Sequence, residues 1–232
     1  MKARTRSRHS GFTLLELIVV VSIVSLLAGA MIPVAMVSFH SKARADTVEE
    51  LRSLGAAVGE YFRDTWQLPA DLDDLFADPG AAGWAGPYLT DASIDVQSGA
   101  NRYTVDGWSL PYDVTVAGPV FTMTSAGVDR IAGNADDLSL AFDTTPLMRE
   151  RTRAQLQTVN QAITLYNATW MASDPLPANY TNLLGELVSR GFLPSTAPYE
   201  EDGWGAAFEA CPAGVTPVVQ VISTNLDNGS CY

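Results

Sequence analysis

The stretch that decides the fold is residues 11–39, which read GFTLLELIVVVSIVSLLAGAMIPVAMVSF. From Phe12 to Phe39 it contains 28 residues, and Glu16 is the only one with a formal charge. At about 1.5 Å of rise per residue, a helix of this length exceeds a hydrocarbon core of about 30 Å. The sequence therefore predicts a transmembrane helix over residues 12–39.

A short leader, residues 1–11, precedes this helix and carries Lys2, Arg4, Arg6 and Arg8 but no acidic residue. Positive charge ahead of an apolar segment is retained on the cytoplasmic side of the membrane. We therefore expect a single-pass membrane protein whose remaining chain lies outside the cytoplasm.

Glu16 is the unusual residue of the apolar stretch, because a carboxylate in a membrane helix costs on the order of a few kcal/mol. Such a charge persists mainly where a partner neutralises it. The sequence therefore predicts a cationic partner for Glu16.

The residues Gly11-Phe12-Thr13-Leu14-Leu15-Glu16, followed by Pro33, resemble the type IV prepilin signature shared by pilins and by the pseudopilins of type II secretion. The resemblance implies a protein of the bacterial inner membrane with a periplasmic globular part. It also implies that prepilin peptidase cuts after Gly11 and that Phe12 becomes N-methylated. It also implies that Glu16 pairs with the α-amino group of Phe12 on a neighbouring subunit during filament assembly. Pro33 lacks an amide donor, so we expect it to kink or locally melt the helix.

Two other interpretations of the N-terminus stay open. Ala28-Gly29-Ala30 fits the small-x-small pattern of a secretory signal peptide. Glu16 argues against this, because it would interrupt the apolar region for no evident reason. The second alternative is an uncleaved membrane anchor.

The charge balance is strongly acidic. Without the leader's four basic residues, the chain keeps 10 basic and 26 acidic residues, a formal charge of −16. Such a surface repels phosphate backbones, so nucleic-acid binding is disfavoured. Calcium and basic partners suit it better.

The only cysteines are Cys211 and Cys231, 20 positions apart on the side predicted to be oxidising. A disulfide between them would stabilise the fold by roughly 3 kcal/mol in the chain-entropy model. The alternative is a pair of unpaired thiols.

Beyond the membrane, apolar residues recur at spacings of three and four, which predicts that the first helix continues to about Trp66. A short helix is expected near Leu72 to Phe76. Alternating segments at residues 103–105, 112–116 and 120–124, separated by turn residues, predict a small antiparallel meander. A long helix packed on such a sheet gives an α+β fold.

The sequence divides into two similar halves. A constant offset of 105 relates one apolar set to another, namely Leu51, Leu54, Ala57, Val58 and Tyr61 to Leu156, Val159, Ala162, Ile163 and Tyr166. Asp202-Gly203-Trp204-Gly205 likewise echoes Asp106-Gly107-Trp108-Ser109. We therefore predict a leader (1–11), a transmembrane and assembly helix (12–39), a first lobe (40–145) and a second lobe (146–232) that repeats the first without its transmembrane half.

The first lobe resembles the G-type major pseudopilin of type II secretion over roughly residues 12–143. The heptapeptide 106–112, DGWSLPY, is similar to that family's Asp-Pro-Trp-Gly-x-Pro-Tyr, with Gly107 and Ser109 departing from it. Residues 125–138 are similar to its acidic, calcium-binding loop. The resemblance implies a calcium site in the first lobe only, and hard oxygen ligands suit that ion. The candidate ligands are Asp129, Asn134, Asp136 and Asp137.

No catalytic residues are predicted. His9 lies in the leader and His40 at the membrane boundary, so neither can join a base and nucleophile pair in a globular lobe. We therefore expect a non-enzymatic pseudopilin that supports protein export. Its partners would be prepilin peptidase, other pilin-like subunits and the inner-membrane assembly platform. The alternatives are a minor pilin of a type IV pilus and a membrane-anchored periplasmic binding module.

Overall fold

The computed structural model describes residues 13–90, 93–227 and 231. Its helices are α1 (Leu14–Thr65), α2 (Thr145–Trp170), α3 (Tyr180–Ser189) and α4 (Thr224–Asp227). Its strands are β1 (Asp113–Ala117), β2 (Val120–Ser125), β3 (Leu138–Asp143), β4 (Glu209–Cys211) and β5 (Gln220–Ile222). The first three strands form one sheet in the order β1-β2-β3, and β4 pairs with β5 in an antiparallel sheet. The predicted α+β class is confirmed.

Helix α1 has 52 residues and is therefore about 78 Å long. It is the one helix of the described residues that is long and apolar enough to cross a membrane. Pro33 lies inside it, and the helix continues on both sides. The helix therefore does not melt at Pro33, and the alternative expectation, a kink at this residue, stays a prediction.

The chain divides into two compact units. One unit comprises Met1–Ser53, Asp91–Asp113 and Thr124–Ser139. The other comprises Leu54–Thr90, Val114–Met123 and Leu140–Tyr232. The first therefore holds the apolar half of α1 and the acidic loop, and the second holds α2, α3 and the β4-β5 sheet.

In the first unit, the predicted strand at Tyr103 to Val105 is wrong. Arg102–Thr104 forms a 3-10 turn, in which the Thr104 amide donates to the Asn101 carbonyl at 3.0 Å. The Thr104 hydroxyl donates to the same carbonyl at 2.8 Å. Two donors from one threonine thus close a turn where alternation of apolar residues suggested a strand.

In the second unit, two glycines of α1 provide room for strand β3. A Cβ on Gly55 would lie 2.6 Å from Leu140 Cδ2, and one on Gly59 would lie 3.1 Å from Phe142 Cζ. Real Cβ atoms do not approach other atoms at the first of these distances. An added Cβ would therefore displace the ends of the Leu140 and Phe142 side chains, so the glycines that weaken helix propensity allow β3 to lie close to the helix.

The main apolar cluster of the second unit lies between α2, α3 and the β4-β5 sheet. Its most buried members, all with 0% exposure, are Ile163, Tyr166, Leu176, Leu183, Leu187 and Val218. Leu156, Val159 and Ala162 extend the same face of α2. The apolar periodicity read from the sequence therefore marks the face of α2 that is buried.

A single helix side chain covers the outer edge of the β4-β5 sheet. Asn160 on α2 donates from Nδ2 to the Val221 carbonyl at 3.1 Å and accepts from the Val221 amide at 2.7 Å. Val221 pairs with Ala210 of β4 on its other side. Asn160 therefore satisfies the backbone groups that a further strand would otherwise pair with.

Candidate functional site

The start of α1 is closed by a reciprocal capping arrangement. The Thr13 amide and hydroxyl both donate to Glu16 Oε2, each at 3.1 Å, and the Glu16 amide donates to Thr13 Oγ1 at 3.2 Å. This is a capping box, which satisfies two amides at the helix start. The predicted processing residues Gly11 and Phe12 lie outside the described residues.

The transmembrane half of α1 is exposed along its whole length. Its large apolar side chains, from Leu14 to Phe39, have exposed fractions between 48% at Val19 and 76% at Leu14. Apolar surface of this extent is unfavourable in water. The segment therefore requires lipid or the helices of other subunits around it.

A buried aspartate organises the Asp-Gly-Trp turn of the first unit. Asp106, which is 1% exposed, accepts from the Trp108 and Leu110 amides at 2.9 Å each. Its second oxygen accepts from the Ser125 hydroxyl at 2.5 Å. The Trp108 indole donates to His40 Nδ1 at 3.2 Å, which links the turn to α1.

The second unit contains the same arrangement around Asp202, which is 3% exposed. Its Oδ1 accepts from the Trp204 and Ala206 amides at 2.9 and 3.0 Å. Its Oδ2 accepts from the Ser223 hydroxyl at 2.7 Å and the Asn225 amide group at 3.0 Å. Burial pushes the pKa of Asp202 up, but these hydrogen bonds outweigh it, and the pKa is lowered.

Each turn is fixed to a helix through a threonine. In the first unit, Thr47 Oγ1 donates to the Ala43 carbonyl at 2.8 Å and accepts from the Gly107 amide at 2.9 Å. A Cβ on Gly107 would lie 2.2 Å from that carbonyl oxygen. The close approach of backbone to backbone explains why glycine is needed here.

In the second unit, Thr152 Oγ1 donates to the Met148 carbonyl at 2.9 Å and accepts from the Gly203 amide at 2.9 Å. A Cβ on Gly203 would lie 2.4 Å from the Met148 oxygen. Thr152 stands 105 positions after Thr47, the offset seen in the sequence. Sequence reasoning missed both threonines, although applying the offset to every helix residue would have found them.

Glu50 of the first unit and Gln155 of the second, 105 positions later, make different contacts. In the first, Glu50 forms an ion pair with Arg102 and accepts from the Tyr112 hydroxyl at 3.0 Å. Burial raises the pKa of Glu50, and Arg102 and Tyr112 oppose that rise. In the second, the position 105 residues later is Gln155, whose Nε2 donates to the Glu201 carbonyl at 3.1 Å. A neutral amide thus replaces a charged group.

The acidic loop of the first unit is held by its own backbone amides. Asp136 Oδ2 accepts from the amides of Val128 and Asp129 at 2.9 and 3.2 Å. Asp137 Oδ2 accepts from the Gly133 amide at 2.6 Å. These carboxylates therefore hold the backbone of the loop in place without a bound ligand.

The other two predicted ligands contact each other, since Asn134 Nδ2 donates to Asp129 Oδ2 at 2.9 Å. Across residues 13–90, 93–227 and 231, no three acidic, histidine or cysteine side chains converge as they would around a metal ion. One observation favours a cation: Asp137 Oδ1 is buried and has no hydrogen-bond partner. A buried carboxylate oxygen without a donor is unfavourable, and a cation would satisfy it.

Cys211 lies at the end of β4, and the structure pairs it with Cys231 in a disulfide. Their Cα atoms are 5.9 Å apart, within the usual range for this bond. The bridge links Cys231 to the end of β4.

The chain is similar to known proteins in its N-terminal motif and over more than half of its length. Residues 6–32 match the family model described as "Prokaryotic N-terminal methylation motif". The type II secretion system core protein G of Aeromonas hydrophila is 30% identical over 138 residues, 57% of this chain and 92% of that protein. The proteins of the same name from Xanthomonas campestris pv. campestris and Escherichia coli are 26% and 27% identical and are covered over 94% and 93% of their lengths. No solved structure gives a significant match.

An exposed apolar helix that begins with a methylation motif and continues into α+β structure defines the pilin-like class of proteins. The chain belongs to the family of the type II secretion system core protein G, and it is a pseudopilin subunit of that system. It is accordingly a membrane-anchored, filament-forming protein. The relatives match 57% to 61% of it, so roughly two-fifths of the chain has no counterpart in them.

Proposed function

We propose that prepilin peptidase cuts this chain after Gly11 and that Phe12 is then N-methylated. The mature subunit has its globular part in the periplasm and joins a pseudopilus through α1. There it supports protein export together with other subunits and the inner-membrane assembly platform. The observation that carries the proposal is a methylation-motif match at residues 6–32 directly on an exposed apolar helix.

In this proposal, Glu16 pairs with the methylated amine of Phe12 on a neighbouring subunit. A carboxylate and an amine that meet in an apolar environment attract strongly and fix the register between helices. Within one chain, the carboxylate of Glu16 contacts Thr13 through Oε2. Capping alone would therefore be an alternative reason for Glu16.

A pair of variants separates the two roles. Glu16→Ala should abolish filament formation in cells while leaving processing intact, as judged by the mass of the mature chain. Thr13→Val removes the capping hydroxyl but keeps the charge, so it should retain filaments. Equal loss of filaments in both variants would indicate that Glu16 acts only as a helix cap. Unchanged filament formation in Glu16→Ala would favour a membrane-anchored module that never polymerises.

The processing step is tested by the N-terminal sequence and intact mass of the protein from its native membrane, with and without prepilin peptidase. The expected chain starts at methylated Phe12 only when the peptidase is present. A chain starting at Met31, after Ala28-Gly29-Ala30, would instead establish secretion as a soluble protein and refute the filament proposal.

Calcium binding by the acidic loop belongs to the same proposal. Asp137 would contribute its buried Oδ1, and Asp129, Asn134 and Asp136 are the other candidate ligands from the sequence. The unpartnered oxygen of Asp137 is the structural support for it. Arg130, next to Asp129, has a φ of 65° and adds a positive charge near the site, which should weaken binding.

Thermal unfolding of the full chain in detergent, with calcium or with chelator, tests this site. Calcium at 100 times its Kd should stabilise the folded state by about 2.7 kcal/mol. Asp137→Ala should lose this effect, whereas Asp113→Ala, an exposed carboxylate on β1, should keep it. A melting temperature of the parent chain that chelator does not move would refute the site.

A further inference from the structure

One surface of the second unit carries no formal charge. Residues 154–173, which are mostly in α2, and residues 210–226, which include β5, hold no acidic or basic residue. The two stretches contact each other through Asn160 and through Asn167, whose Nδ2 donates to the Val218 carbonyl at 2.9 Å. We call the surface that they form together the neutral face.

The neutral face is also the apolar part of this surface. In residues 140–226, the large apolar side chains that are exposed all lie on it, namely Leu165 (61%), Met171 (39%), Val215 (53%) and Val219 (49%). A groove of about 540 Å³ is lined by Gln157, Asn160, Gln161, Thr164 and Leu165 of α2. Exposed apolar side chains beside an uncharged groove are typical of an interaction surface.

The fold does not require α2 to be neutral here. Arg52 and Glu60 of α1 stand 105 positions before Gln157 and Leu165, and both are charged and exposed. An exposed helix face normally keeps such residues, which interact well with water. The loss of charge is therefore specific to α2.

Electrostatic repulsion indicates which partner this face suits. Two mature chains, each with a formal charge of −16, repel each other in most orientations. Contact through the neutral face brings no carboxylates of the two copies together. A twofold axis presents the same residues from both sides, so both surfaces of such a contact are uncharged.

We propose that two copies of the chain associate through their neutral faces, with the two α2 helices antiparallel about a twofold axis at Gln161. Gln157, Gln161 and Leu165 lie at successive spacings of four on one stripe of the helix, and all three are exposed. Leu165 of one copy would enter the groove of the other beside Gln157. The proposal goes beyond the function proposed above, because it joins copies through the second unit and needs no packing of α1.

Oxidative cross-linking of the full chain in detergent tests the position of the axis. Gln161→Cys places one thiol of each copy at the axis, and the chain's own two cysteines are already joined in a disulfide. A disulfide requires Cα atoms within about 7 Å, so Gln161→Cys should form a cross-linked dimer about tenfold faster than a distant site. Thr181→Cys, an exposed position on α3, is the matched control.

Sedimentation equilibrium in the same detergent measures the Kd of the dimer. Leu165→Glu should raise this Kd by about tenfold or more, because each copy then brings a carboxylate into an uncharged contact. Thr181→Glu adds the same charge to α3 and should leave the Kd near the parent value. Sodium chloride at about 0.5 M should strengthen the parent dimer, because salt screens the repulsion between the acidic remainders of the two copies.

Fast cross-linking at residue 161 and a raised Kd in Leu165→Glu together support the contact. Cross-linking no faster than in Thr181→Cys, or a Kd that Leu165→Glu leaves unchanged, overturns it, since any association then occurs through α1 or another surface. Thermal unfolding checks that Leu165→Glu folds as the parent chain does. These measurements use unassembled protein, so a lack of filaments in cells would refute the proposed function and leave this contact standing.

Discussion

Gly203→Ala should destabilise the second unit markedly, although it adds a single methyl group. The new Cβ would lie 2.4 Å from the Met148 carbonyl oxygen and 2.7 Å from its Cα, both backbone atoms of α2. Relief requires the turn to move away from α2, which breaks the hydrogen bond from the Gly203 amide to Thr152. Overpacking of about 1–3 kcal/mol and a lost hydrogen bond of about 1 kcal/mol together predict a loss of about 2–4 kcal/mol.

The assay is denaturant unfolding of the full chain in detergent, followed by tryptophan fluorescence. Gly185→Ala is the matched control, because Gly185 lies inside α3 and its added Cβ would meet nothing within 4 Å. The same chemical change should there stabilise the protein by about 0.5–1 kcal/mol through helix propensity. If Gly203→Ala were as stable as the parent chain, the close approach between turn and helix would be refuted.

Three further predictions concern the second unit. Hydrogen bonds lower the pKa of Asp202, so its ionised carboxylate stabilises the fold above the pKa of about 3.9 that it has in the unfolded chain, and this stabilisation is lost as the pH falls below that value. Asp202→Asn should therefore weaken the fall in the free energy of unfolding at acid pH, measured by denaturant unfolding at a series of pH values. Asn160→Ala should lower the free energy of unfolding by about 1–3 kcal/mol, because the backbone amide and carbonyl of Val221 lose their hydrogen-bond partner. The exposed strand edge should also promote self-association, measured by light scattering, and unchanged scattering and stability would contradict this. Reduction of the Cys211–Cys231 bridge should lower stability by roughly 3 kcal/mol while leaving any calcium response intact, and an unchanged unfolding curve with dithiothreitol would argue against it.

The sequence predicted those features that depend on regular spacing. The extent of α1 and the strands near residues 112–116 and 120–124 followed from apolar periodicity and turn residues, and the apolar face of α2 followed from its likeness to α1. The structure places these elements at Leu14–Thr65, Thr145–Trp170, Asp113–Ala117 and Val120–Ser125. Spacing was informative there because burial repeats along each element.

Other features could not be predicted, because they depend on contacts between distant residues. Strand β3 follows an acidic loop, and its role becomes evident only where Leu140 meets Gly55. The turn at Arg102–Thr104 looked like a strand, since side-chain capping of the Asn101 carbonyl leaves no periodic signal. The repeat of the two lobes stays a prediction, and the matching environments of Asp106 and Asp202 are its strongest structural support.

The exposure of the apolar half of α1 has a consequence for how the filament can grow. Side chains from Leu14 to Phe39 that face lipid in the membrane would face water as soon as the helix left it. A free subunit in water would therefore be a poor intermediate, and withdrawal from the bilayer and addition to the polymer must occur as one concerted transfer. For the same reason, a filament that releases a subunit should return it to lipid and not to solution.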